Sequence, residues 1–350
     1  MAFRWRRRKY ELIDFNKLQF DTTITDLLLE SKLQWVDYTI VVMKCPYCEE
    51  EWKQHKEFPP DRKVRCPNGH LIPFERALKN EKKKFKLIKM NNQDMKQVRI
   101  FYDMEAESYD NDYDVPYWRL YNEITWHNIR KFLPKKKNPL ILDAGGGTWY
   151  WAIKLVKHGY KVVLTDISEK MLKVAKDKIV QEHLLDKIET KIVDIRDMGC
   201  FPSNYFDLAL AEGDPVSYCL EPKKAISELT RVVKTNTYVI ASVDSKYSML
   251  SGMIRRNDFN KIPMFLETSI FETFFKSQAF TPNELKTLFE ICGLKVIRII
   301  EKTVLTRSPR EQDIITNNFD KILELELKYC DVPSLVGNGE HLEIVAMKQE

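Results

Sequence analysis

The run Leu142-Asp143-Ala144-Gly145-Gly146-Gly147-Thr148-Trp149 places an acid directly before three consecutive glycines. Glycine accepts backbone angles that other residues resist, so such a turn lets the main chain approach a nucleotide closely. More acids follow it: Asp166, nineteen residues past Gly147, then Asp194, then Glu212 with Gly213 and Asp214. Carboxylates in those places accept hydrogen bonds from hydroxyl and amine groups and attract positive charge. A second group of residues points to metal chemistry. Cys45 and Cys48 form a C-x2-C pair, seventeen residues intervene, and Cys66 and His70 form C-x3-H. Two short knuckles with two ligands each suit a tetrahedral zinc ion. Pro46 and Pro67 favour tight turns after the cysteines, and Gly69 lets the chain bend so that His70 can face the metal. His55 is a competing fourth ligand. Four protein ligands leave no open position, so the expected role of this Zn2+ is structural.

The elements that must position the acids are legible from periodicity. Leu140-Ile141-Leu142 reads as a short buried strand. Trp149, Ala152, Ile153 and Val156 share one face of a helix that stops near Gly159. Val162 to Leu164 is the next strand, and Leu172, Ala175 and Ile179 mark a helix that Ser168 caps. Strands follow at 188–193, 206–211 and 238–243, with a helix over 223–233 before the last. Thr281-Pro282-Asn283-Glu284 opens another helix, and 296–300 and 341–347 supply two more strands. Alternating strands and helices predict an α/β fold: a doubly wound, mainly parallel, seven-stranded Rossmann-like sheet, preceded by a small zinc-ribbon β domain. Ligands of such sheets bind beyond the carboxyl ends of the strands, and acids end the first four.

That recurrence separates two nucleotide chemistries. A ring of carboxylates repels a pyrophosphate. S-adenosylmethionine has no phosphate; it offers a ribose diol, an amine, a sulfonium and an α-amino group, all suited to carboxylates. The acids therefore favour the sulfonium cofactor.

With these residues in place the chain resembles the class I S-adenosylmethionine-dependent methyltransferases, most closely the type 11 or menaquinone-biosynthesis-like branch. The resemblance covers residues 101–245 and extends more loosely to 349. It rests on Phe101-Tyr102-Asp103 with Glu107-Ser108-Tyr109-Asp110, LDAGGGT at 142–148, VVLTDIS at 162–168 with Met171-Leu172, VDIRDM at 193–198, and YFDLALAEGDPVSYC at 205–219. It implies that Gly145 and Gly147 admit the cofactor and that Asp143 acts near its amino group. It further implies that Asp166 accepts the ribose hydroxyls while Ile167 and Met171 pack on the adenine. Asp194 would take the adenine amine beside the Ile195 backbone, Glu212 and Gly213 would line the methionine portion, and Tyr102 and Tyr109 would belong to a lid. Trp149 departs from the pattern, standing where the family's turn carries its last glycine. As the second helical residue it is expected to project outwards and wall the cofactor or acceptor pocket.

Methyl transfer mainly requires alignment of donor and acceptor, and a base only when the acceptor arrives protonated. Gly213-Asp214-Pro215-Val216-Ser217-Tyr218 is distantly similar to the Asp-Pro-Pro-Tyr signature of amino-methyltransferases, with the second proline missing and a serine inserted. Asp214 and Tyr218 are thus the acceptor-side candidates. Residues 246–280, rich in Met and Phe, are read either as a cap over the acceptor or as an extra helix packed on the core.

With 350 residues and 44% hydrophobic content the chain can build one large core and a small satellite. The organisation expected is a basic segment at 1–34, the zinc ribbon at 35–75, a basic linker at 76–98, and the methyltransferase domain at 99–350 with its cap insertion at 246–280. The basic excess is confined to the front, with 20 basic against 14 acidic residues over 1–95 and 36 against 37 over 96–350. It concentrates in Arg4-Trp5-Arg6-Arg7-Arg8-Lys9 and Lys82-Lys83-Lys84-Phe85-Lys86. Such runs are either solvated or able to touch phosphates. Glu11 and Asp14 interrupt any signal-peptide core, no apolar run approaches the ~18 residues of a membrane span, and seven cysteines is an odd number for a disulfide framework. A reduced, cytoplasmic protein is expected. Three readings of its partners remain: a small-molecule acceptor beneath the cap; RNA, since a C-x2-C…C-x3-H ribbon before a methyltransferase domain is similar to bacterial enzymes that methylate a guanine of large-subunit ribosomal RNA; and a non-catalytic adaptor that binds cofactor or a partner protein.

Overall fold

Alternate residues of a strand face opposite sides of its sheet, and here both sides are apolar. Leu142, Ala144, Val163, Ala209, Ala211, Val239 and Ala241 enter one buried cluster, whereas Ile141, Val162, Leu164, Leu208, Leu210 and Ile240 enter the other. A sheet apolar on both faces needs helices on both, which is the doubly wound arrangement. The computed structural model describes residues 40–44, 48, 51–55, 63–65, 71–73, 78–82, 92–113, 115–306 and 312–350. The chain divides into two compact units, Met1–Asn91 and Asn92–Glu350.

In the first unit, β1 (Ile40–Lys44) pairs antiparallel with β2 (Glu51–His55), and β3 (Lys63–Arg65) with β4 (Leu71–Pro73). β5 (Leu78–Lys82) also pairs with β1, setting Ile40 opposite Lys82. The sequence reading placed these last residues in a linker. Backbone pairing with β1 makes them a strand despite their polar, lysine-rich composition, because a ladder satisfies main-chain groups whatever the side chains. The basic segment 1–34 lies outside the described residues, as do Cys45, Cys66 and His70; Cys48 lies in a turn between β1 and β2.

The second unit opens with α1 (Asn92–Glu105), a 3-10 turn at Tyr109–Asp112, and α2 (Pro116–Ile129). The alternating part runs β6 (Leu140–Ala144), α3 (Tyr150–Lys157), β7 (Lys161–Asp166), α4 (Glu169–Gln181), β8 (Ile188–Ile192), β9 (Phe206–Ala211), α5 (Pro215–Tyr218), α6 (Pro222–Val232) and β10 (Val233–Asp244). Then come α7 (Lys246–Arg255), α8 (Ile262–Thr268), the hairpin β11 (Ile270–Glu272) and β12 (Lys276–Gln278), α9 (Pro282–Ile291), β13 (Leu294–Lys302), α10 (Gln312–Asn317), α11 (Phe319–Tyr329) and β14 (His341–Lys348). The seven strands lie in the order β13-β14-β10-β9-β6-β7-β8. β6 to β10 are parallel, and β14 runs antiparallel between β10 and β13, so the sheet is mixed. This is a Rossmann-like α/β fold built on a seven-stranded mixed sheet.

Local signals explain where helices start. The Ser168 hydroxyl accepts from the Met171 amide at 3.1 Å, and Thr281 with Glu284 forms a reciprocal capping box. α6 and α9 cover one face through Ile226, Leu229, Leu285 and Phe289, while α3 and α4 cover the other through Ala152, Leu155, Leu172 and Ala175. Residues 246–280 form α7, α8 and the small hairpin around their own cluster of Met253, Phe265, Phe271 and Ala279. Among the described residues no helix is long and apolar enough to cross a membrane.

Leu208 has no exposed surface, so Leu208→Ala is expected to cost about 2–5 kcal/mol. Loss of the Thr281 cap in Thr281→Ala should cost about 1 kcal/mol. Urea denaturation of both variants checks the ranking.

Candidate active site

The glycine turn follows β6 and is packed from both sides. Gly145 and Gly147 adopt φ of 71° and 58°, the left-handed region that favours glycine. A Cβ on Gly145 would stand 2.8 Å from the Cβ of Pro215, and one on Gly146 would stand 2.3 Å from Leu164 Cδ1. The Gly145 and Gly146 amides both donate to the Thr165 carbonyl, at 2.8 and 3.0 Å, which ties the turn to β7.

Trp149 corrects an expectation. It is not the second helical residue but the residue before α3, at φ 105° and ψ 0°. The last glycine of the family's turn therefore answers to a backbone angle at this position, and the tryptophan adopts that angle. Its indole joins the apolar cluster on the α3 and α4 side, with the Lys178 ammonium 5.6 Å from the ring. It does not wall the cavity; its neighbours Tyr150 and Trp151 do.

The cavity has a volume of about 280 Å³ at the carboxyl ends of the strands. Of the residues expected at the cofactor, Tyr102, Tyr109, Gly145, Gly147, Asp166, Ile167, Met171, Asp194, Ile195, Glu212 and Gly213 line it, together with the acceptor-side candidates Asp214 and Tyr218. Asp143 lies beneath the turn, its carboxyl where a Gly146 side chain would go, and is not part of the wall. It has no exposed surface and neither carboxyl oxygen has a hydrogen-bond partner of good geometry. Burial pushes it up to about 7, with the Ala152 amide pulling the other way.

Asp166 ends β7 and accepts from the Gly147 amide at 3.0 Å and the Ser168 amide at 2.8 Å. Burial raises its pKa to about 6 against these amides. Asp194 is held by Arg196, whose Nη2 donates to Asp194 Oδ2 at 2.7 Å while Nη1 donates to Glu221 at 2.7 Å. Its carboxylate thus meets the cavity already engaged by a guanidinium. Glu212, at the end of β9, is fully buried with Lys302 Nζ 2.5 Å away, and the same ammonium stands 3.0 Å from Glu343 and 3.1 Å from the Tyr121 hydroxyl. Burial and then Glu343 push the Glu212 carboxyl up, opposed by Lys302. Burial works against the Lys302 ammonium, but Glu212, Tyr121 and Glu343 hold its pKa well above the usual range.

Beside this group, His341 Nδ1 stands 2.7 Å from Asp214 Oδ2. Burial opposes the imidazolium, yet Asp214 overrides it and His341 rises to about 9. The His341 ring meets Tyr121 edge-on at 5.2 Å and lies 6.0 Å from Trp118. The Gly213 and Asp214 amides donate to the Ser242 hydroxyl at 3.0 and 3.1 Å, fixing the loop after β9.

A cover of aromatic rings comes from the segment before the sheet. Tyr102 lies 6.1 Å from Tyr109 and 6.3 Å from Tyr218, and Phe275 of the insertion lies 5.2 Å from Tyr218. Polar contacts clasp this cover down. Asp103 accepts from the Ser168 hydroxyl at 2.6 Å, and Asp110 accepts from the Thr148 hydroxyl and pairs with the Lys178 ammonium. Sequence reasoning missed Tyr113, Trp118, Tyr121, His341, Lys302 and Glu343. The last three had a signal: each is a polar residue at or within an apolar strand run, Ile299 to Lys302 or His341 to Met347.

The family described as a methyltransferase domain matches residues 141–236, a span that holds the glycine turn, Asp166, Asp194, Glu212 and Tyr218. The chain is 21% identical over 258 residues to the tRNA 5-carboxymethoxyuridine methyltransferase of Escherichia coli (strain K12), covering 73% of this chain and 98% of that one. It is 27% identical over 258 residues to the malonyl-[acyl-carrier protein] O-methyltransferase of Buchnera aphidicola, covering 73% and 88%. A shorter match, 30% over 135 residues, is to the ubiquinone/menaquinone biosynthesis C-methyltransferase UbiE of Neisseria meningitidis serogroup B, covering 37% of this chain and 53% of that one. Residues 141–236 carry the methyltransferase domain, and the chain is an S-adenosylmethionine-dependent methyltransferase.

Lys302 is the cation between two buried glutamates. Lys302→Met should therefore destabilise the protein by about 3–5 kcal/mol, measured by chemical denaturation.

Proposed function

We propose that the cavity seats S-adenosylmethionine and that the chain transfers its methyl group in line to a small acceptor admitted beside Tyr218 and His341. The observation that carries this reading is a shared lining: Gly145, Gly147, Asp166, Asp194 and Glu212 border the same cavity as Asp214, Tyr218 and His341. A pocket that holds donor and acceptor side by side keeps the reacting atoms in one geometry, which is most of what this reaction needs. The residues present fit the cofactor, for Asp166, Asp194 and Glu212 line the cavity beside the apolar Ile167 and Met171.

When bound, the cofactor supplies a methyl carbon already activated by positive sulfur. Asp166, held by two amides, would accept the ribose hydroxyls. Ile167 and Met171 would pack on the adenine, with Asp194 and the Ile195 backbone at its amine. Glu212 and Gly213 would border the methionine portion, and Asp143 would act on its amino group from beneath the turn, through the backbone or water. Asp214 and Tyr218 would orient the acceptor.

RNA is a second reading, favoured by the match across 98% of the tRNA-modifying relative and by the basic excess over residues 1–95. For the front of the chain we propose a structural Zn2+ on Cys45, Cys48, Cys66 and His70. C-x2-C falls in the connection between β1 and β2, and C-x3-H in that between β3 and β4, so each ligand pair joins two antiparallel strands.

Calorimetry with S-adenosylhomocysteine should show binding that Asp166→Ala abolishes; no binding to the intact chain would overturn the cofactor assignment. The pKa of Asp166 lies near 6, above the ordinary 3.8, and the ribose hydroxyls bond best to its ionised form. Affinity should therefore fall as pH drops below about 6, by up to tenfold per pH unit, and Asp166→Asn should flatten that dependence. Labelled methyl groups supplied to a cell extract with the enzyme should appear in the small-metabolite fraction. Label in RNA, with RNA retention that weakens steeply with salt, would transfer the conclusion to the second reading.

A further inference from the structure

The ends of three adjacent strands bring together residues that cofactor binding leaves unused. Asp244 is the last residue of β10, His341 is the first of β14, and the two are direct cross-strand partners. Asp214 follows β9 at φ 65°, its amide held by Ser242. One ligand atom from each of the three lies within 4.8 Å of the others. Asp214 and Asp244 are 3% and 8% exposed, and Asp214 Oδ1 and Asp244 Oδ2 are buried with no hydrogen-bond partner. Buried polar oxygens without partners are costly, and a cation is one way such a cost is met. The ammonium on the neighbouring strand, Lys302, is already engaged by Glu212 and Glu343.

We propose that Asp214, Asp244 and His341 form a divalent-metal site on the acceptor side of the cavity. Two carboxylates and one imidazole make a mixed oxygen and nitrogen donor set, suited to Mn2+, Co2+ or Zn2+. Three protein ligands leave coordination positions open, and Asp214 and His341 both line the cavity, so those positions face it. The amides of Asp214 and Asp244 donate to Ser242 and Ser217 at 3.1 and 2.9 Å, which fixes the ligands on rigid backbone. The imidazole Nδ1 stands 2.7 Å from Asp214 Oδ2, close enough for both groups to ligate one ion.

The use of the site rests on the methyl-transfer reading and narrows its acceptor to an oxygen, a hydroxyl or a carboxylate, able to ligate the ion. A metal-bound hydroxyl gives its proton to solvent more readily. Its oxygen then forms a bond to the methyl carbon as the carbon–sulfur bond breaks, the electron pair staying on sulfur to give a neutral thioether and a methyl ether. A carboxylate acceptor has no proton to lose and gives a methyl ester.

The test uses the full chain as purified. Total metal content by elemental analysis, followed by Mn2+ titration read by electron paramagnetic resonance, is compared for the native protein, Asp244→Asn and His341→Gln. The native protein should hold one more divalent ion per chain than either variant, or bind Mn2+ at least tenfold more tightly. Equal metal content and equal Mn2+ binding in all three overturns the proposal. Melting and S-adenosylhomocysteine binding on the same samples report folding and the cofactor site independently, so failure of the metal site and failure of the methyltransferase reading are distinct results. Should both variants unfold, Co2+ added to the native chain decides. A visible spectrum of oxygen and nitrogen ligation supports the site, whereas only thiolate-to-cobalt absorption, the mark of the cysteine knuckles, counts against it.

Discussion

Negative charge held out of water shapes this enzyme. Asp143, Asp166, Glu212, Asp214, Asp244 and Glu343 all have under a tenth of their surface exposed, and an isolated buried carboxylate is costly. Their settings differ. Backbone amides serve Asp166, the Lys302 ammonium is shared by Glu212 and Glu343, and an imidazole serves Asp214. Asp143 instead rises to about 7, chiefly by burial, with Asp166 adding to it and the Ala152 amide opposing. The strand ends therefore form an acidic basin whose charges are partly balanced before any ligand arrives, and whose remaining demand matches a cationic sulfur compound.

The glycine turn and its cover belong to the same design. Gly145 must be glycine twice over, for its φ of 71° and for the Pro215 ring that a side chain would strike. Pro215 starts α5, the short helix that carries Tyr218. The glycine turn is thus in direct packing with the loop that carries Asp214 and Tyr218. From the other direction, α1 is tied to the start of α4 through Asp103 and Ser168, so the roof is anchored to the element that follows β7.

Much of this was legible in the sequence because it is local. The strand runs, the Ser168 and Thr281 caps, the acids at four strand ends and the glycine turn all depend on spacing within a few residues, and spacing is what periodicity reveals. What escaped depends on partners distant in the chain. Lys302 reads as the polar end of a strand until β13 folds beside β14 and Glu212 comes within 2.5 Å of its ammonium. His341 reads as the polar first residue of the last strand, and only its cross-strand pairing with Asp244 gives it a chemical setting. Trp149 was misjudged for a local reason: a residue's φ is not visible in its letter, and an indole at 105° is an uncommon solution where glycine is the usual one. Leu78–Lys82 was misjudged because a lysine-rich strand at a sheet margin lacks the apolar alternation that marks strands elsewhere.

Lys178 makes two contacts at once, reaching Asp110 of the roof while lying over the indole of Trp149. Thr148, next to that indole, holds the same Asp110. Asp110 therefore ties roof, turn and α4 together, alongside the separate tie of Asp103 to Ser168, so a change at Asp110 would loosen the roof and the turn together.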